Sequence, residues 1–181
     1  MREYNVLVMF QSMKATAFDL EAPPLDPRII IRRGDEGVEM VELPWGLQPK
    51  EPGGRPFTLV RAEGRTFPSH RCLVPATEFL VARQGQRYAF ALADGDWFYF
   101  AGIWRPASPE WPEAYAILTM AAGPDVVPYQ DRQMAVLRRV QRMDWLDLAV
   151  PEHELFRRHR RGTFTVERHF RPRPVQAALT L

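Results

Sequence analysis

The sequence predicts an α+β fold with a strand-rich core, and three observations carry the prediction. Short segments rich in β-branched and aromatic residues alternate with connectors containing glycine and proline. One pair of them has the layout of a hairpin: Arg87 to Ala93 (RYAFALA), the Asp94-Gly95 turn, then Trp97 to Trp104 (WFYFAGIW). Asp-Gly tolerates the positive φ angles of a tight turn. Helical patterns, by contrast, are few and short.

Each element follows from local chemistry. Tyr4 to Phe10 (YNVLVMF) is rich in strand formers, and Ala15 to Leu20 carries a weak helical signal. Glu21 to Pro27 is a connector punctuated by proline. Arg28 to Arg33 and Val38 to Leu43 flank Gly34-Asp35-Glu36-Gly37, which predicts a second hairpin. Gln48 to Pro56 is a loop, and Phe57 to Ala62 is a strand. Cys72 to Pro75 is a short apolar run ended by proline. Arg105 to Pro112 holds too much proline for regular structure, and Tyr115 to Met120 is a strand. Gln133 to Leu146 fits a helix through Leu137, Val140 and Leu146, but its start fits a strand from Met134 to Leu137 equally well. Pro151 to His159 is expected to be a short helix with Pro151 in its first turn, and Thr163 to Arg168 alternates as a strand does.

The chain has 181 residues, the size of one domain with one core, so residues 1–181 are expected to form a single unit. No apolar run is long enough for a membrane-spanning helix, and the first residues lack the layout of a secretory signal. The single cysteine, Cys72, cannot form an internal disulfide. These features lead to the expectation of a cytoplasmic protein with no membrane partner. Net charge is only +2, but the basic residues are unevenly made up. Lys14 and Lys50 are the only lysines; the other basic residues are arginines, whose planar fork suits phosphate. Eleven of these arginines lie from Arg132 onward. Such a local excess suits a polyanion, and codon usage rich in arginine explains the total equally well.

Few residues announce chemistry by themselves. Cys72 heads an apolar run, and unpaired cysteine is among the most buried residue types, so a structural role outweighs a nucleophilic one. His70, His153, His159 and His169 form no metal-ligand spacing, and no phosphate loop or dinucleotide fingerprint is present; neither metal nor cofactor is expected. Phe156 to Arg161 (FRRHRR) is a compact basic cluster, which either holds phosphates or complements the end of a helix dipole. Trp45, before Gly46, either stacks on an unpaired base or anchors the core, and spacing alone favours the anchor.

Several strings taken together resemble the SOS response-associated peptidase (SRAP) family, whose members shield abasic sites in single-stranded DNA. Arg71-Cys72-Leu73-Val74-Pro75-Ala76 resembles its core string, and Trp45-Gly46-Leu47 its Trp-Gly-Leu/Met signature. Phe100-Ala101-Gly102-Ile103-Trp104, Leu118-Thr119 with Gly123-Pro124, Asp131-Arg132, Trp145-Leu146 and Gly162-Thr163-Phe164 follow in the family's order. The resemblance runs from about Pro44 to Arg168. It implies a mixed or antiparallel sheet curled into a partly closed barrel with a few short helices. It also implies DNA-binding roles for Trp45, Gly46, Arg61, Thr119 and Arg132.

The same resemblance implies lost chemistry. The family's terminal cysteine, whose thiol and amine close a thiazolidine ring on the abasic sugar, falls on Arg2. Its asparagine falls on Leu59, its glutamate on Val81 and its histidine on Gln130, while Arg61 and Glu63 keep the family's types. Leucine and valine neither carry a proton nor accept a hydrogen bond, and glutamine does not titrate near neutrality. Glu78, near Val81, would face the other side of a strand. The expectation is a catalytically degenerate relative that binds single-stranded or damaged DNA without the thiazolidine crosslink. The alternatives are an interaction module that keeps the fold and exposes an apolar patch, and a hydrolase using an exposed Cys72.

Overall fold

The computed structural model describes residues 15–170. The strand expected from Tyr4 to Phe10 lies outside them, as does Arg2. The strands are β1 (Thr16–Asp19), β2 (Pro27–Gly34), β3 (Gly37–Pro44), β4 (Leu59–Arg61), β5 (Arg71–Arg83), β6 (Gln86–Leu92), β7 (Phe98–Arg105), β8 (Ala114–Ala121), β9 (Arg132–Met134), β10 (Val136–Arg138) and β11 (Phe164–His169). A 3₁₀ turn at Arg139–Gln141 leads into α1 (Arg142–Leu146), and α2 (Glu152–Leu155) follows. The α+β, strand-rich expectation holds.

The curvature does not go as far as expected. The ladder runs β11-β6-β5-β7-β8-β4, and its two ends do not pair with each other, so the sheet is open and not a partly closed barrel. The reason lies in β5, which is 13 residues long and pairs with β1, β2, β6 and β7. A strand that spends both edges on four partners makes the sheet branch.

Strand parity sorts the core into two faces. Val74, Phe98, Phe100, Tyr115, Ile117, Met134 and Val136 pack on the first face with Phe18 and Trp45. Their chain neighbours Leu73, Tyr99, Ala101, Ala116, Leu118, Ala135 and Leu137 pack on the second, under Trp145 and Leu146 of α1 and Leu155 of α2. In β5 the alternation slips once. Cys72, Val74 and Ala76 share the first face with Phe79 and Val81, one residue out of step. The register against β1 shifts at the same place, from Thr16↔Ala76 to Phe18↔Phe79. This is a bulge, and it keeps both halves of a long strand facing one aromatic core.

Several local expectations are corrected by tertiary partners. Ala15 to Leu20 is not helical, because β1 lies parallel to β5 and buries Phe18 fully. Pro75 does not end its strand; it pairs with Tyr99, and β5 continues because β1 and β6 supply partners beyond it. The 34–37 hairpin forms as expected, with Gly34 opposite Gly37. The hairpin expected across Asp94-Gly95 does not form: a turn is present, with Gly95 at φ +79, but β6 and β7 are both antiparallel to β5 and so run in the same direction, pairing with successive halves of that long strand instead of with each other. The ambiguous segment from Gln133 resolves both ways: strands β9 and β10 first, then the 3₁₀ turn and α1.

Candidate functional site

The candidate site is built on β4, β8 and β9. Strand β4 lies parallel to β8 with Leu59 opposite Ile117 and Arg61 opposite Thr119, and β9 is antiparallel to β8 with Arg132 opposite Ala121. Parity therefore sets Leu59, Arg61, Thr119 and Arg132 on the first face, in line with Ile117.

Arg132 is locked there. Its Nη1 and Nη2 donate to the two carboxylate oxygens of Glu63 at 2.9 and 2.8 Å, a bidentate pair. Its Nε and Nη2 also donate to the Thr119 hydroxyl at 3.2 and 2.9 Å. Glu63 Oε1 accepts a further bond from the Ala121 N–H at 2.9 Å. The hydrogen bonds from Arg132 are the main reason the Glu63 carboxyl is held down at about 2, so the pair stays ionised far into acid. Arg61 differs. It is exposed and makes no hydrogen bond or ion pair through its side chain among the described residues.

The remaining expected site residues are dispersed on or under the same face. Trp45 is a core anchor and does not line a groove: the ring is 2% exposed, its Nε1 donates to the Thr58 carbonyl at 2.9 Å, and Phe18 meets it edge-on at 5.0 Å. Gly46 is buried beside it at φ +133, where a Cβ would stand 2.8 Å from Pro56 Cβ, so the glycine sets the backbone. Leu59 is 41% exposed, whereas Val81 is 2% exposed and part of the aromatic core. Val81 is opposite Tyr88, and the Tyr88 ring lies 4.6 Å from that of Tyr129, the residue before half-buried Gln130. Val81 and Gln130 are thus linked only through their neighbours Tyr88 and Tyr129. Leu59 lies outside that cluster, on a strand three ladders away from β5. Glu78 pairs with Ala91 and points away from the face that carries Phe79 and Val81.

Cys72 is fully buried, and burial pushes its thiol far above the ordinary cysteine range. A Cβ on Gly102 of β7 would approach its Sγ to 2.8 Å. The thiol fills space between strands, and the hydrolase alternative falls with it.

Sequence reasoning missed three features. Glu63 keeps the family's residue type, but its grip on Arg132 spans 69 residues and has no local signal. Arg71 opens the Arg-Cys-Leu-Val-Pro string, yet it is a buried tie: Nε donates to Phe67 O at 2.7 Å, Nη1 to Trp145 O at 2.9 Å and Nη2 to Glu152 at 2.7 Å, with its guanidinium 4.0 Å over the Trp145 ring. The Tyr88–Tyr129 contact joins two segments that nothing in the sequence connects.

Comparison with known proteins places this geometry in a family. Three crystal structures share the fold. One is a protein from Bordetella bronchiseptica, with TM-score 0.67 and 20% identity over 90% of this chain and 94% of that one. A phage-related protein from the same organism gives TM-score 0.64 and 22% identity over 82% and 80% of the two chains. A protein from Bacteroides thetaiotaomicron gives TM-score 0.60 and 18% identity over 80% and 74%. No curated protein matches. No helix among the described residues is long and apolar enough to cross a membrane. The family profile described as SOS response associated peptidase (SRAP) matches residues 8–178, nearly the whole sequence, and the chain belongs to that family.

Proposed function

We propose that this protein binds single-stranded or damaged DNA through Arg61, Thr119 and Arg132, and does so without forming a thiazolidine crosslink. The observation that carries the proposal is the contrast between the two arginines of the first face. Arg132 is fixed by Glu63 and Thr119, while Arg61, on the other side of β8, is exposed and unpaired among the described residues. A fixed cation beside a free one suits a phosphodiester: the free fork binds it and the fixed one sets the local field. Loss of covalent chemistry is supported by residue types. The single cysteine of this sequence, Cys72, is buried, Leu59 and Val81 cannot move a proton, and Val81 is sealed from any substrate.

The test is a gel shift with single-stranded DNA, intact and carrying one abasic site. Binding should weaken as salt rises, and Arg61→Ala should weaken it about tenfold, with no borohydride-trapped adduct. Absence of any shift at low salt, or a stable adduct, would overturn the proposal. A second reading has one observation in its favour. Phe57 and Leu59, two residues apart on one face, are 39% and 41% exposed, which fits a protein-interaction surface. Failure of DNA binding, with Leu59→Asp abolishing a protein contact, would favour it.

A further inference from the structure

Glu63 also lines a hollow of about 330 Å³ whose walls include none of Arg61, Thr119 and Arg132. It is formed by the loop after β4, the end of β8, and the segment from α2 to Arg158. Its volume is at the lower end of the ~300–1,000 Å³ range of small-ligand sites. Its apolar side comes from Ala62, Met120 and Phe156, all three packed in or against the core of the second face. Its polar side comes from Arg65, Arg158, His153, Glu63 and Glu152.

The charge balance of this hollow is not what its lining residues suggest. Both carboxylates are consumed by arginines outside the lining. Glu63 is bound by Arg132, and Glu152 Oε1 accepts from Arg71 Nη2 at 2.7 Å and from the Phe67 N–H at 2.8 Å. Arg65 and Arg158 are exposed and make no ion pair among the described residues. A ligand therefore meets two uncompensated guanidinium groups over an apolar, partly aromatic floor. Helix-dipole complementation does not explain Arg158, because α2 is a single turn that ends at Leu155.

We infer that this hollow binds a nucleotide unit, with its phosphate on Arg65 and Arg158 and its base against Phe156 and Met120. Guanidinium forks match phosphate, and a flat base fits an aromatic and thioether floor. The unit is either a free mononucleotide or one nucleotide of a strand, and the two sources share this chemistry.

The test is calorimetric titration of the full chain with dAMP, deoxyadenosine, deoxyribose 5-phosphate and a short single-stranded oligonucleotide. The variants are Arg65→Glu and Arg158→Glu, both at exposed, unpaired positions. The expected result is that dAMP binds at least about tenfold more tightly than either half-molecule, and that each variant weakens it about tenfold or more. Binding of the oligonucleotide alone, weakened in both variants and by an abasic spacer, assigns the hollow to a strand and also supports the inference. The inference is overturned if neither ligand loses affinity in the variants, or if deoxyribose 5-phosphate binds as well as dAMP. Failure here with Arg61-dependent DNA binding intact would leave the proposed function standing; the reverse pattern would leave the hollow standing alone.

Discussion

The two faces of the sheet are held by different physics. The first is an aromatic interior: Phe18, Phe79, Phe98 and Phe100 meet edge-to-face, and Phe79 stacks on Phe90 at 4.9 Å. Its stability comes from apolar burial and packing. The second face is closed by short helices, and the buried Arg71–Glu152 ion pair clamps them. Arg71, on β5, holds the carbonyls of Phe67 and Trp145 and the carboxylate of Glu152 at once. Helices of five and four residues have little stability of their own, so a polar tie to the sheet sets their position. The difference teaches where the protein tolerates change. An aromatic interior loses stability in proportion to the volume removed, but a buried clamp fails whole when one partner leaves.

The largest expected effect breaks the clamp. Arg71→Ala strands the Glu152 carboxylate and two carbonyls and should cost about 3–5 kcal/mol, read as a lower urea midpoint. Loss of less than about 1 kcal/mol would mean that apolar contacts of Trp145 and Leu155 suffice to hold the helices. The first face should respond more gently. Trp45→Phe keeps an aromatic ring against Phe18 and removes the N–H bond to Thr58, for a cost of about 1–3 kcal/mol. Because the indole is buried, single-stranded DNA affinity should not change, and a large loss of affinity would show that the ring reaches the strand.

The smallest effect concerns the segment between α2 and β11. His159 packs edge-on to Phe164 at 5.3 Å. Burial, reinforced by Arg138, lowers its pKa, although the Val136 carbonyl and Asp125 oppose the shift. A histidine whose folded pKa is depressed is held neutral. Its contribution is intact above the unfolded value near 6.5 and is lost as pH falls below it, because the unfolded chain then takes up the proton. Thermal unfolding between pH 7.5 and 5.5 should show a falling melting temperature, flattened in His159→Gln. Glu63 acts in a separate window, from the ordinary carboxylate range down to about 2, where protonation releases Arg132.

Much of the fold was legible because strand alternation is local. The 34–37 hairpin, β8 and β11 follow from pattern and turn chemistry, whereas the hairpin expected across Asp94-Gly95 is replaced by pairing of both its strands with β5. The site was legible by residue type only. Arg61, Thr119 and Arg132 could be named, but Trp45 turned out sealed and Arg132 spoken for, since burial and pairing depend on partners far along the chain. The FRRHRR cluster shows the same limit. Of the arginines from Arg132 onward, Arg138 and Arg139 are tied to Asp94 and Asp96, while Arg157, Arg158, Arg160 and Arg161 make no ion pair among the described residues.

By itself the sequence determined the strand-rich composition, the turns, the family and the absence of proton-carrying side chains at Leu59 and Val81. These are properties of residue type and of spacing within a few positions. The tertiary structure alone decided that the sheet branches at β5 instead of closing, that Arg71 clamps the helices, and that Glu63 and Glu152 are neutralised so that Arg65 and Arg158 face the hollow uncompensated. Each of these depends on which distant segments share a ladder or a carboxylate, and neither periodicity nor composition encodes that pairing.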